Sequence, residues 1–146
     1  MWELFNLINP INHTKTPQSI AVYRDEPYVM AGDVYAQSHP AQGGWSWYTG
    51  SAGWMYRLIT ESMLGIKMEE GKLRFEPCVP ADWKSFKITY RYKTAVYNIA
   101  FTQSNNGKRA IVLDGEPLPD HLIILQDDGA EHHIEVEWAA VEMTTV

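Results

Sequence analysis

"FKITYRYKTAVYNIAFT", residues 86–102, decides the fold of the larger part of this chain. Phe86, Ile88, Tyr90 and Tyr92 alternate with Lys87, Thr89, Arg91 and Lys93, the period of a strand with one buried face. Alternation resumes with Ala95, Tyr97, Ile99 and Phe101 on one face, so the spacing predicts a hairpin turning at Lys93-Thr94.

The same rhythm extends in both directions. "GIKMEEGKLRFEP" (65–77) predicts a hairpin turning at Glu70-Gly71. After the turn "SNNGK" (104–108) come "RAIVLDG" (109–115), "LIILQDDG" (122–129) and "HHIEVEW" (132–138), each bounded by Gly, Asp or Pro. About seven strands in this pattern predict an antiparallel β-sandwich.

Before Ile66 the apolar residues follow a helical period instead. In "WELFNLINP" (2–10), Trp2, Phe5 and Ile8, with Leu4 and Leu7 beside them, form one apolar face of a helix that stops before Pro10. Met1 already lies within this pattern and no cap precedes it, which suggests a truncation. Residues 9–27, with Pro10, Pro17 and Pro27, are expected to be a turn-rich loop, and "YVMAGDVYAQ" (28–37) a short helix weakened by Gly32. Gly50 to Leu64 gives helical spacing, with Met55, Leu58, Ile59, Ser62 and Met63 on one stripe and Gly65 as its stop. The expected class is α+β, with a helical domain at 1–65 and a β domain at 66–146.

Composition excludes several functions. A net charge of −6 over 146 residues argues against a nucleic-acid partner, which would need a basic stripe. No run approaches the ~18 apolar residues of a membrane span, and the start lacks the features of a secretory signal. With one cysteine, Cys78, no internal disulfide can form, which fits a cytoplasmic setting.

"GGWSWYTGSAGW" (43–54) sits at the start of the last helical run, where free backbone N–H groups and the helix dipole favour an anion. Gly50 permits close approach and the Thr49 hydroxyl adds a donor. Trp45, Trp47, Tyr48 and Trp54 offer rings on which the C–H faces of a sugar can pack. The same residues also suit a plain helix cap beside core rings. A nucleotide P-loop is absent, because no GxxxxGK[ST] occurs. His132 and His133, neighbours on a strand, point to opposite sides and read as surface histidines, so no metal site is expected. His13 and His39 read as loop residues held by structural hydrogen bonds, and Cys78 as buried and inert. Glu69-Glu70 and Asp127-Asp128 read as solvated carboxylates beside turns.

Taken in order, "LINPINHTKTP" (7–17), "RDEPYVMAGDVYA" (24–36), "GGWSWYTGSAGWMYR" (43–57), "LGIKMEEGKLRFEPCVP" (64–80) and "FKITYRYKTAVYNI" (86–99) resemble the C-terminal end of glycoside hydrolase family 94, formerly glycosyltransferase family 36. The branch most similar is that of the cyclic β-1,2-glucan synthases. The resemblance implies the last helices of an (α/α)6 catalytic barrel at 1–65, followed by a jelly-roll-like sandwich at 66–146. It implies an inverting phosphorylase with inorganic phosphate as co-substrate, no other cofactor, and a β-linked glucan or glucoside as substrate. Thr49 and Gly50 match the family's phosphate-holding Thr-Gly step, and Trp47 and Tyr48 are substrate-contact candidates by position. The general acid lies upstream of the matched segment, so no catalytic residue is expected here and the isolated chain is expected to be inactive. Asp33 does not match the acid's motif. Around Met30 to Gly32 the chain departs from the cellobiose-type pattern, where a sugar-contacting glutamine stands. Further expectations are a partner in the remainder of the barrel, self-association through exposed helix faces, and a parent anchored in the inner membrane if it is a synthase. The alternative is a non-catalytic carbohydrate-binding or structural sandwich.

Overall fold

The computed structural model describes residues 1–34, 42–46, 49–104 and 107–139. The chain divides into two compact units, Met1–Leu58 and Ile59–Val146. Helices and mostly antiparallel sheets make it a mixed α+β chain.

The first unit opens with α1 (Trp2–Ile8), α2 (Pro10–His13) and α3 (Pro17–Tyr23). The last two occupy the stretch expected to be a loop. Prolines that break a helix interior are favoured at its first position, and both stand there. The Asn9 side chain accepts a hydrogen bond from the Ile11 N–H, starting α2, and Thr16 and Ser19 form a capping box that starts α3. His13 therefore ends a helix rather than lying in a loop, with its ring stacked 5.0 Å from that of Tyr23. The helix expected over 28–37 does not form in its described part, residues 28–34. Asp33–Val34 is a short strand, β1, paired antiparallel with β2 (Gly43–Gly44), and the Gly32 N–H donates to the Trp45 carbonyl at 2.9 Å. Gly32 weakens the local helix, and pairing with the glycines beyond replaces it. This unit ends in α4 (Thr49–Arg57), which the chain continues as a π-helical segment, Leu58–Met63.

In the second unit, β3 (Ile66–Glu69) and β4 (Lys72–Phe75) form the hairpin at Glu70-Gly71. Both turn residues have positive φ, 51° and 76°, the geometry of a type I′ turn. β5 (Ser85–Tyr92) and β6 (Ala95–Gln103) form the hairpin read from the sequence, with Lys93 at φ 51°. Then come β7 (Ala110–Leu113), β8 (Glu116–Pro117), β9 (Ile123–Ile124) and β10 (Glu131–Trp138). The order is β5-β6-β10-β7-β8 in one sheet and β3-β4-β9 in the other.

One pairing departs from the all-antiparallel expectation. β10 runs parallel to β6, from Glu131 opposite Val96 to Trp138 opposite Gln103, and antiparallel to β7. Turn signals reveal only adjacent hairpins. β7, β8 and β9 intervene between β6 and β10, so no tight turn forces an antiparallel direction.

Both sheets bury residues in one core. Leu73, Phe75 and Ile123 come from the smaller sheet; Tyr97, Ile99, Phe101, Ile134, Val136 and Trp138 come from the larger. Phe86 stacks on Phe101 at 4.3 Å, Phe75 meets Phe101 edge-on at 5.4 Å, and Trp138 lies 5.4 Å from Phe86. Each such ring pair adds roughly 0.5–1.5 kcal/mol to the burial itself. Cys78, expected to be buried, is half-exposed.

His132 is no surface histidine. Its side chain is 15% exposed, its ring stacks 4.7 Å from Tyr97, and each ring nitrogen faces a carboxylate: Nδ1 to Asp114 at 2.7 Å and Nε2 to Asp128 at 3.2 Å. Asp127 in turn accepts from the Thr94 N–H at 3.1 Å and lies 3.6 Å from the Lys93 ammonium. Asp127 and Asp128 are exposed, as their place beside turns predicts, and together with Asp114 they also tie three turns together at one end of the unit. The hydrogen bond with Asp114 raises the His132 pKa above 6.5, while the His133 N–H and His132 hold Asp114 below 3.8. A raised histidine stabilises the fold fully below about pH 6.5 and loses that contribution as pH rises through its folded value. The depressed aspartates contribute above about pH 4 and lose it as pH falls. The clasp is therefore strongest between about pH 4 and pH 6.5. Melting curves of the 146-residue chain should lose a few degrees between about pH 6 and pH 8.5, and His132→Gln should flatten that loss. Equal losses in both proteins would show that the clasp does not titrate.

Candidate functional site at the start of α4

Gly50, expected to hold an anion, lies in the first turn of α4, whose N–H groups have no partners within the helix. Among the described residues, nothing beyond the chain neighbours and the helix's own backbone lies within 4 Å of a methyl group placed on Gly50, and the same holds for Gly53. The space beside Gly50 is thus open, and its backbone is accessible from that side. Gly50 and Ser51 line a cleft of about 550 Å³ together with Ile8, Asp33, Val34 and Trp54, all within the first unit. No acidic residue stands in the first turn of α4.

The aromatic expectations divide. Trp45 and Trp54 are exposed, and Trp45 shares a smaller cleft with Gly32, Asp33 and Ser51. The Arg57 guanidinium lies 5.6 Å from the centre of the Trp54 ring, a cation–π distance. Trp47 and Tyr48 lie outside the described residues, so of the four residues singled out for the site only Thr49 and Gly50 are placed, in α4.

Two features of this unit were missed. Asp33, within the helix expected over 28–37, instead belongs to β1 and lines both clefts. Tyr23 is fully buried, and among the described residues no group within hydrogen-bond geometry meets its hydroxyl or the enclosed Oδ2 of Asp25. The other oxygen of Asp25 accepts from the Glu26 N–H at 2.9 Å. Burial, then Glu26, pushes the Asp25 carboxyl above its ordinary range, and burial with these two acids raises Tyr23 as well. Gly43 allows this packing: a Cβ there would stand 2.8 Å from the Asp25 Cβ. In the sequence, "YRDE" gave no sign that one carboxylate oxygen of the half-buried Asp25 is enclosed.

Among the described residues, no cluster of His, Cys, Asp or Glu could hold a metal ion. Nor, among them, is any helix long and apolar enough to cross a membrane.

Comparison with known proteins places this geometry in a class. Residues 1–65 match the family described as the glycosyl hydrolase 94 superfamily, catalytic domain. The chain is 36% identical over 112 residues to the cyclic beta-(1,2)-glucan synthase NdvB of Rhizobium meliloti (strain 1021), an alignment covering 76% of this chain and 4% of that protein. It is 29% identical over 117 residues to the solabiose phosphorylase of Paenibacillus borealis, covering 77% of the chain and 15% of the relative. With the N,N'-diacetylchitobiose phosphorylase of Vibrio furnissii it shares 28% identity over 139 residues, 92% of the chain and 17% of the relative. The chain belongs to the glycosyl hydrolase 94 superfamily. It spans less than a fifth of the length of each of these relatives.

Proposed function

We propose that the chain is the C-terminal part of an inverting glycoside phosphorylase-type enzyme, similar to the phosphorylase region of cyclic β-1,2-glucan synthases. Residues 1–65 are then the last helices of an (α/α)6 catalytic barrel and residues 66–146 its jelly-roll-like β-sandwich. The open backbone at Gly50, at the start of a helix and facing a cleft, carries this reading. Thr49 and Gly50 hold inorganic phosphate there, since unpaired N–H groups and a positive dipole end accept an anion without a lysine. Trp54 and Trp45 supply exposed rings for a β-linked glucan or glucoside, with Trp47 and Tyr48 as neighbours in sequence. Asp33 is suited to accept a hydrogen bond from a sugar hydroxyl.

In an inverting reaction one carboxylic acid protonates the leaving oxygen and a nucleophile attacks the anomeric carbon from the opposite face. When that nucleophile is water, a second carboxylate must activate it. Phosphate is already anionic, so an anion cradle replaces the base. The acid comes from the remainder of the barrel, outside this chain. That remainder also covers the exposed apolar side chains of Leu4, Leu7, Ile11, Ile20 and Val22; uncovered, they drive self-association.

The 146-residue chain alone should therefore form no sugar phosphate from β-linked glucosides and inorganic phosphate. Phosphorus NMR after prolonged incubation checks this. Sustained turnover by the pure chain would mean that it contains its own acid.

A further inference from the structure

We propose that the solvent face of the five-stranded sheet docks a second copy of this chain through reciprocal charge pairing. Register places Lys87 of β5 beside Ala100 of β6, and Ala100 beside Glu135 of β10. Four residues along β5, Arg91 stands beside Val96 and Val96 beside Glu131. Residues directly opposite in a sheet project from the same face, and all four charged residues are exposed. Between them runs the neutral strip Val96, Asn98 and Ala100. The face thus carries two cations on β5, with Thr89 between them, and two acids on β10, with His133 between them, in register and two strands apart, or about 10 Å.

Among the described residues, none of these four charges forms an ion pair. The spacing explains this, because the rows lie on the same side and too far apart to meet within one sheet. Two sheets facing each other across a two-fold axis along β6 exchange the positions of β5 and β10. Each Lys87 then lies over the second copy's Glu135, and each Arg91 over the second copy's Glu131, with every pair made twice. Such self-complementarity is what an isologous two-fold contact requires. Small central side chains let the sheets approach while the charges close the two sides.

Cations on β5, an edge strand, also discourage strand addition along that edge. That role does not call for acids in matching register two strands away. The contact is small: the charged rows are about 10 Å apart and about 14 Å long, which places it in the transient class below about 1,200 Å². It should weaken with salt, whereas association through the apolar helices of the first unit should not.

The test is charge reversal. Sedimentation of the 146-residue chain at low and high salt is compared with that of Lys87→Glu/Arg91→Glu and of Glu131→Lys/Glu135→Lys. In each double variant alone the salt-sensitive part of the association should weaken at least roughly tenfold at low salt. Mixed together, the two should form a salt-sensitive heterodimer, seen by native mass spectrometry. Association that persists unchanged in both variants, or no complex in the mixture of two folded variants, would overturn the proposal. Neither result bears on the phosphate cleft, which lies in the other unit.

Discussion

Gly50→Asp in the complete enzyme is expected to abolish phosphate-dependent turnover while leaving the fold intact. Among the described residues beyond its own helix, nothing lies within 4 Å of a Cβ at this position, so the new side chain meets open space there. The first turn of α4 holds no acid, and a carboxylate near the positive end of the helix is worth about 0.3–1 kcal/mol in its favour. The melting temperature should therefore stay level or rise. The same carboxylate fills the space proposed for phosphate and repels it. Loss of a preorganised anion donor commonly lowers rates 10²–10³-fold, and placing a charge in the site should cost at least roughly a thousandfold in kcat/KM for phosphate. Gly50→Ala, which adds bulk without charge, should show a smaller loss carried mainly by the KM for phosphate. A Gly50→Asp enzyme with unchanged phosphate kinetics would remove this helix from the site.

Gly65→Ala should be the most damaging single substitution in the second unit. Gly65 has φ +70°, and a Cβ there would stand 2.1 Å from the Glu76 carbonyl carbon and oxygen, both backbone atoms that no rotamer change can move. Its own carbonyl accepts the Glu76 N–H at 2.8 Å, and the Met63 carbonyl accepts the Cys78 N–H at 2.9 Å, so displacement would strain a doubly pinned crossing. An expected loss on the order of 4 kcal/mol follows from strain and clash together. Gly71→Ala is the control. It shares a positive φ of 76°, but its nearest neighbour is the Tyr92 hydroxyl at 3.8 Å, so only the backbone term remains, about 1 kcal/mol. Denaturant melts of both variants check the difference. Equal losses would mean that the close approach at Gly65 relaxes freely.

The β part was legible because its signals are local. Alternation over Phe86–Tyr92 and Ala95–Phe101 reports burial directly, and Glu-Gly and Lys-Thr between such runs leave little choice of turn. The parallel pairing of β10 with β6 is a long-range choice and left no local mark. β1, β2, β8 and β9 have two residues each, too few to show a period. In the first unit, prolines at 10 and 17 were read as breakers although Asn9 and Thr16 stand before them as caps. Thr49-Gly50 was legible as a helix start, since glycine and a hydroxyl ahead of an apolar period have a mechanism. The enclosure of one Asp25 oxygen beside Gly43 and the placement of Asp33 depend on the β1–β2 pairing and were not.

The products formed by the complete enzyme separate phosphorolysis from hydrolysis. A β-linked glucan and inorganic phosphate, followed by phosphorus and proton NMR, should yield a sugar 1-phosphate of inverted, α configuration, formed only when phosphate is present and lost in Gly50→Asp. Free reducing sugar released at the same rate without phosphate, or a sugar phosphate of retained configuration, would rule out inverting phosphorolysis.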